Sequence, residues 1–205
     1  MSNEDILVSL HGRRLGLGSS TGKLILNHNN GLQERLEGTI YVSPAASTAI
    51  SNTTTETPFD TYATLPAKSL HAGSNLKIRF QGIATSTNAN DTLAIKLYIA
   101  SDKTAGAIVG TALLSLAATD VSNSDVFQGE YELIVRTEGS SGTMVGAGVY
   151  KSIPAAEGTM TSKDDILAST TIDTTVTQYV IVTATWSAAS GSDSCRLDFL
   201  RVSLG

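Results

Sequence analysis

The run GLGSSTGK, from Gly16 to Lys23, is the stretch of this sequence that most resembles a chemical motif. A phosphate-binding loop needs a glycine five residues before its second glycine and a Ser or Thr after the lysine, where this chain has Leu17 and Leu24. A dinucleotide-binding fingerprint fails too, because its third glycine position is Thr21. The run therefore predicts a glycine-rich turn between two short strands, and no cofactor is expected.

Metal-ligand and nucleophile patterns are equally weak. The histidines His11, His28 and His71 have no partner at metal-ligand spacing, so no metal is expected. The single cysteine, Cys195, lies in a predicted strand, where we expect a small buried side chain and not a reactive thiol.

Paired carboxylates stay open, because glycosidases on β-sandwich scaffolds bring two acids together from distant strands. Two of the candidates, Glu132 and Asp198, alternate with apolar neighbours, which is typical of a solvent-facing side of a strand. We therefore expect no enzyme. A glycoside hydrolase is kept as a third hypothesis, after the two binding functions described below. The candidate acids are Asp60, Glu130, Glu132, Asp193 and Asp198.

Exposed aromatic rings would favour a carbohydrate-binding module, since sugars stack on them. Trp186 shares the parity of Val180 and Val182, so it is expected in the core. Four tyrosines could be exposed: Tyr41, Tyr62, Tyr98 and Tyr150. Carbohydrate binding is therefore kept as the alternative function.

Length and charge exclude several classes. At 205 residues the chain suits one large β-domain, and its 41% hydrophobic residues support a buried core. The net charge of −5 offers no basic face for a phosphate backbone, so nucleic acid is not expected as a partner. No apolar run reaches the roughly 18 residues of a membrane helix. The acids near the first residue differ from the basic start of a signal peptide, so we expect no membrane partner and synthesis in the cytoplasm.

Alternation of apolar and polar residues, the pattern of a strand with one buried face, recurs after about residue 39. In 76–81, Leu76, Ile78 and Phe80 alternate with polar neighbours, and similar runs begin at Leu93, Tyr131 and Val180. Roughly nine strands with turns between them suit a sandwich. Weaker strands are predicted at 39–43, 59–65, 108–116, 144–153 and 167–172.

Two local irregularities are also predicted. Cys195 and Leu197 share one parity of the last strand and Leu200 and Val202 the other, which indicates a β-bulge near residues 199 and 200. A central strand covered on both faces is the alternative. Residues 162–167, SKDDIL, predict a helical turn with a serine N-cap.

The fold prediction is all-β: a jelly-roll-like antiparallel β-sandwich over 39–205, with an immunoglobulin-like topology as the alternative. Glycine and asparagine break the apolar pieces of 1–38, which predicts an extended N-terminal arm or small hairpin. We predict that this arm binds a partner surface, the alternative being that it packs on its own sandwich. The predicted binding residues are Leu7, Leu10, Arg13, Arg14, Leu15, Leu17, Leu24 and Leu26.

Residues 52–82 combine a Thr-rich strand, an acid and a Phe with an LPA..L..G run that leads into an alternating strand. This segment resembles a recurrent motif of bacteriophage structural proteins, and SLHGRRLGL at 9–17 resembles the leader of capsid-associated phage proteins. Together the two segments cover about a quarter of the chain. The matching residues are Glu56, Phe59, Leu65, Pro66, Ala67, Leu70, Gly73 and Gly82.

The resemblance implies a capsid decoration (cement) protein, a family whose members are often trimeric jelly rolls. On this interpretation the arm at 1–38 binds the major capsid protein. Other copies of the chain complete a homotrimer, and the protein lies on the outer capsid surface of the virion. A ring of copies would also cover exposed strand edges. The alternative is a tail-fibre or receptor-binding module that binds carbohydrate.

Overall fold

The computed structural model describes residues 38–88, 90–104, 112–113, 121, 124–154 and 160–205, and the backbone of 7–10, 13–17, 24–28, 31–34, 114–115 and 119–120. No helix occurs in these residues. The strands are β1 (Leu7–Leu10), β2 (Arg13–Leu17), β3 (Leu24–His28), β4 (Gly31–Glu34), β5 (Gly38–Val42), β6 (Ile50–Ser51), β7 (Thr57–Leu65), β8 (Asn75–Thr85), β9 (Thr92–Ala100), β10 (Leu114–Ser115), β11 (Thr119–Asp120), β12 (Asp125–Thr137), β13 (Gly142–Ile153), β14 (Thr161–Ile172), β15 (Gln178–Trp186) and β16 (Ser194–Leu204).

The strands form three antiparallel sheets. The N-terminal sheet has the order β1-β2-β3-β4. The small sheet has the order β10-β9-β15-β7, with β11 also paired to β9. The large sheet has the order β14-β13-β12-β8-β16-β5, with β6 also paired to β16. From β7 to β9 and again from β14 to β16 the chain crosses between the small and large sheets, which confirms the jelly-roll-like sandwich.

Period-2 burial produces the core, as the sequence predicted. In β8, Leu76, Ile78 and Phe80 are buried, whereas Lys77 and Arg79 face solvent. β12 behaves in the same way, whereas β9 and β15 are also buried on part of their other side, where Tyr98, Ala100 and Ile181 form a second small cluster. Trp186 is 1% exposed, as expected. The inner faces of the two sheets meet in one cluster of buried residues. Burial of this apolar surface is the main force that holds the sheets together.

Aromatic rings of the large sheet lie over glycines of neighbouring strands. A Cβ placed on Gly129 would lie 2.4 Å from Cζ of Phe80, and one on Gly148 would lie 2.0 Å from Cδ1 of Tyr131. The Phe80 and Tyr131 rings stack with their centroids 6.4 Å apart. A Cβ placed on Gly82 would likewise lie 2.3 Å from Cζ of Phe127. The glycines therefore make room for close-packed rings, an arrangement known to support sheet glycines.

The bulge predicted in the last strand is confirmed slightly before the expected residues. The register of β16 against β8 shifts between Leu197 and Phe199. The extra residue returns Leu200 and Val202 to the buried side that Cys195 and Leu197 already share. Without the shift, the second half of the strand would present its apolar residues to solvent.

Two serines hold the bulged segment from its other side. The Ser47 amide donates to the Leu197 carbonyl (2.8 Å), and the Leu197 amide donates to Oγ of Ser47 (2.9 Å). Ser43 makes the same pair of contacts with Leu200, at 2.9 and 3.0 Å. The backbone groups of the irregular strand are thereby satisfied without regular pairing.

The helical turn predicted at 162–167 is wrong, because this segment is the first half of strand β14. β14 pairs with β13 from Thr161 to Ile172, with one register shift opposite Met144 and Gly146. Long-range pairing outweighs the local preference of Ser162 and the following acids for a helix start. The weaker strand predictions at 39–43, 59–65, 144–153 and 167–172 are confirmed, whereas most of 108–116 lies outside the described residues.

Candidate interaction surfaces

The predicted binding residues of the N-terminal segment all lie in strands of the N-terminal sheet. Leu7 and Leu10 belong to β1, the two arginines, Leu15 and Leu17 to β2, and Leu24 and Leu26 to β3. In the register, Leu15 stands opposite Leu26, and Leu17 opposite Leu24. The segment predicted as an arm or small hairpin is therefore a four-stranded meander, and its binding role stays a prediction. The glycine-rich turn between β2 and β3 lies outside the described residues.

The outer face of the large sheet is an ordered array across β8, β12, β13 and β14. One row of cross-strand partners contains Arg79, Glu130, Val149 and Asp164, in the order of the strands. The next row contains Lys77, Glu132, Ala147 and Ile166. Long side chains on β12 and β14 thus flank short ones on β13.

This arrangement forms a groove of about 730 Å³ along β13. Its apolar lining includes Ile134, Ala147, Val149 and Ile166. Ile166 is 78% exposed, more than any other large hydrophobic side chain in the described part of the chain. An exposed isoleucine beside an apolar groove is typical of a contact surface.

Most of the charge around the groove is already paired. Arg79 binds Glu130, and Nζ of Lys77 lies 3.7 Å from Oε1 of Glu132, which also accepts from Nδ2 of Asn75 at 2.5 Å. These pairs are half exposed, so each contributes at most about 1 kcal/mol to stability. No described residue pairs with Asp164 across the groove. The unpaired negative charge of this surface is therefore the carboxylate of Asp164 on β14.

β14 is also an edge strand, and it carries features that discourage pairing with another edge. Lys163, Asp164 and Asp165 charge its first half. The register shift in its second half sets 168 and 169 opposite the single residue Val145. Charges and bulges are common protections of sheet edges. The accessible side of this strand is therefore its outer face and not its backbone edge.

The five acids considered for a hydrolase are spread over the molecule. Asp60 lies in the small sheet and accepts the Thr48 amide at 3.1 and 3.2 Å. Asp198 lies at the bulge of β16, bonded to Arg196. Asp193 is wholly buried, and no described group donates to its carboxylate. Among these five, Glu130 and Glu132 share the groove, and both are ion-paired.

Glu56, an acid of the resemblance motif, binds three side chains on the outer face of the small sheet. Its carboxylate accepts from Nζ of Lys96 at 2.6 Å, and from the hydroxyls of Tyr98 and Thr183 at 2.8 Å each. Burial alone would raise the pKa of Glu56, but these hydrogen bonds outweigh it and lower the pKa. Thr183 is fully buried, so the contact satisfies a group that water cannot reach.

The tyrosines considered for sugar stacking behave differently from one another. Tyr98 and Tyr150 are buried and offer no ring to a sugar, whereas Tyr41 and Tyr62 are partly exposed. The Tyr62 ring meets Tyr179 edge-on at 5.8 Å, and Nζ of Lys103 lies 3.7 Å from its centre. Part of the Tyr62 ring face is therefore covered by the ammonium group.

The remaining reactive residues are held in structural contacts. Nδ1 of His71 lies 3.0 Å from Oε2 of Glu138. Cys195 is buried as expected, and burial raises the pKa of its thiol to about 12. Within the described residues, no three His, Cys, Asp or Glu side chains come together as a metal site. A search of the same residues for a helix able to cross a membrane found none.

Sequence reasoning missed the groove and its residues Ala147, Val149, Asp164 and Ile166. The prediction of a helical turn over 162–167 hid the first half of β14, and with it one wall. A usable signal was present in the strand predicted at 144–153. Ala147 and Val149 are apolar residues on the parity opposite to the buried Met144 and Tyr150.

Comparison with known proteins gives fold-level likenesses of low similarity. No protein-family model matches this sequence, and no curated protein matches it. A seed lectin of Lotus tetragonolobus is 9% identical with a TM-score of 0.39, over 100% of this chain and 94% of that one. Lectin II from Ulex europaeus is 8% identical with a TM-score of 0.36, over 94% and 91%. A chain from the structure of infectious bursal disease virus, Gx strain, is 10% identical with a TM-score of 0.31, over 96% and 50%.

Proposed function

We propose that this chain is a structural, non-enzymatic module that binds the outer surface of a bacteriophage capsid shell, as decoration proteins do. The observation that carries the proposal is the N-terminal sheet. Its strands are four or five residues long, and among the described strands they pair with one another in the order β1-β2-β3-β4. One layer of short strands cannot enclose a core, because domains bury apolar surface between packed layers. The sheet therefore needs a second surface.

The register of the N-terminal sheet supports an apolar contact. Leu15 stands opposite both Val8 and Leu26. A surface of the major capsid protein supplies the second layer in this proposal, and Arg13 and Arg14 pair with acids on it. The protein would then lie on the outside of the virion. The resemblance of 9–17 and 52–82 to phage structural proteins points to the same role.

Removing residues 1–37 tests the proposal, and it leaves β5 intact because that strand begins at Gly38. We expect the truncated protein to keep its β-sheet circular dichroism and to lose binding to purified shells that lack decoration protein. In the full chain, Leu15→Asp should weaken binding, whereas Ser19→Asp, which introduces the same side chain in the predicted glycine-rich turn, should not. Unchanged binding of the truncated protein would overturn the proposal. Unfolding of the truncated protein would favour an N-terminal sheet that packs on its own sandwich.

A homotrimer is part of this proposal. Three N-terminal sheets on one particle would engage a shell together, and the second and third would bind at high effective concentration. Weak individual contacts would then give durable attachment. Sedimentation equilibrium at micromolar concentration should give three times the mass of the chain, and a stable monomer contradicts the expectation.

A carbohydrate-binding module of a tail fibre is the second candidate, favoured by the partly exposed Tyr62–Tyr179 pair with its neighbouring Lys103. Rings of this kind can stack on sugars, and an ammonium group can bond to hydroxyls. A glycan array separates the two functions. Specific glycan binding that is lost in Tyr62→Ala, together with no binding to shells, would replace the capsid proposal.

A further inference from the structure

We infer that the groove on the outer face of the large sheet is a docking site for an extended protein segment that carries aliphatic side chains and a Lys or Arg. The inference rests on the proposed function only in naming the source of that segment, the major capsid protein. The groove itself is defined by described residues of β8, β12, β13 and β14.

The shape of the groove suits an extended chain. Its walls rise from β12 and β14, which are two strand spacings or roughly 10 Å apart. Along β12 the lining runs from Glu130 to Ile134, a span of five residues or about 14 Å of strand. That length accepts four or five residues of an extended peptide running parallel or antiparallel to β13.

The floor and walls favour aliphatic side chains over sugars. Ala147 and Val149 form the floor, while Ile134 and Ile166 stand on opposite walls. Tyr131 is the aromatic residue in the lining, and it is only 5% exposed because its ring lies against Gly148 on the inner side. A sugar would find no ring to stack on, whereas alternate aliphatic side chains could be buried.

The charge of the groove favours a basic segment. Glu130 and Glu132 are neutralised by Arg79 and Lys77 on the β12 side. On the β14 side Asp164 is exposed and pairs with no described residue. Asp164 is the cross-strand partner of Val149, so a Lys or Arg of the incoming segment placed over Val149 would meet this carboxylate directly. Complementary charge of this kind gives specificity and a faster association more than it gives affinity.

A peptide experiment tests the chemistry without the capsid. The probe is a fluorescein-labelled heptapeptide in which Val, Val, Arg and Val alternate with Thr, so that its Val and Arg side chains share one face of an extended chain. The matched control peptide has Glu in place of Arg. We expect saturable binding of the basic peptide to the full chain by fluorescence polarisation, at least about tenfold tighter than the acidic one. Equal binding of the two peptides, or none of the basic one, overturns the inference.

Three variants locate the binding. Ala147→Lys fills the floor with a charged chain and should weaken binding of the Val–Arg peptide at least tenfold. Asp164→Asn should weaken it about threefold, as expected for loss of an exposed ion pair. Thr64→Lys adds the same charge to an exposed position of the small sheet and should change nothing. Equal effects of Ala147→Lys and Thr64→Lys would overturn the assignment, as would unchanged binding in both groove variants.

Shell binding separates this inference from the proposed function. If the intact protein binds shells and Ala147→Lys weakens that binding, both stand. If the intact protein binds shells and neither groove variant alters this, the capsid protein is not the source of the segment and the inference falls alone. If the intact protein binds the basic peptide but no shell, the proposed function falls and the groove chemistry stands. Loss of glycan binding in Ala147→Lys would overturn the inference in favour of a sugar.

Discussion

Replacing Gly129 by alanine is the sharpest test of the packing that holds the large sheet. The new Cβ would lie 2.4 and 2.5 Å from Cζ and Cε1 of Phe80, and both contacts are too short for real carbon atoms. The ring cannot turn away freely, because it is 1% exposed and stacks on Tyr131 with an angle of 4° between the planes. The strand or the ring stack must therefore shift.

The expected loss follows from two opposing terms. Overpacking a core by one methyl group costs about 1–3 kcal/mol, and alanine regains about 0.5–1 kcal/mol over glycine in a strand. Because the Phe80 ring is buried and stacked, the cost lies near the upper end of its range, and we expect the free energy of unfolding to fall by about 2 kcal/mol. For a chain of this size that lowers the melting temperature by about 4–8 °C.

Urea unfolding followed by fluorescence of the buried Trp186 measures the change. Gly191→Ala is the matched control, because no atom lies within 4 Å of a Cβ there, and it should stay within about 0.5 kcal/mol of the parent. Phe80→Leu should reduce the penalty of Gly129→Ala by about 1–2 kcal/mol in a double-mutant cycle. A Gly129→Ala protein as stable as the control would refute the reasoning, and strict additivity would show that the clash is not with Phe80.

Three further predictions follow from single contacts. Hydrogen bonds lower the pKa of Glu56 in the folded protein despite its burial. The ionised carboxylate therefore stabilises the fold above pH 4.5, the ordinary pKa, and this stabilisation is lost as the pH falls through the lower pKa of the folded state. Glu56→Gln should remove this part of the acid dependence of the urea midpoint. Ser47→Ala leaves the buried amide of Leu197 without its acceptor and should lower the free energy of unfolding by about 1–3 kcal/mol, whereas Ser47→Thr should retain most of it. The thiol of Cys195 should resist a thiol-specific reagent at pH 8 in the native state and react fully in urea, and rapid native labelling would contradict its burial.

The sandwich could be predicted because its strands carry their burial in the sequence. Alternation in β8 and β9 marks one buried side, and the change of parity between Leu197 and Leu200 predicted the bulge. In each case one strand has a single apolar face, and the alternation of apolar and polar residues along the sequence reveals it. The serines that hold the bulge were not predicted, since Ser43 and Ser47 are far from β16 in sequence and become partners only through the fold.

The surfaces could not be predicted in the same way. β14 has polar residues on both sides over its first half, so its period is invisible, and the local sequence SKDD favours a helix start. Only pairing with β13 makes it a strand. The groove depends on that pairing, because one of its walls is β14. Glu56 was recognised as a motif residue, but its three hydrogen-bond partners come from β9 and β15.

The residues that carry the resemblance to phage structural proteins have structural roles in this chain. Phe59 stacks on Phe127, Leu65 and Leu70 are buried, and Gly73 adopts a φ of 89°, a left-handed conformation that favours glycine. Residues with such roles would be needed by any protein that uses this sandwich, whatever it binds.

Partner choice must therefore reside in residues outside that motif. In the described part of the chain, the groove over Ala147 and the Tyr62–Tyr179 pair are apolar surfaces outside the main core. Ala147, Val149 and Ile166 can change without disturbing the core, because they lie on the outer face of the large sheet. A decoration protein and a fibre module built on this fold would differ at these surfaces and at the N-terminal sheet, and substitutions there test function separately from stability.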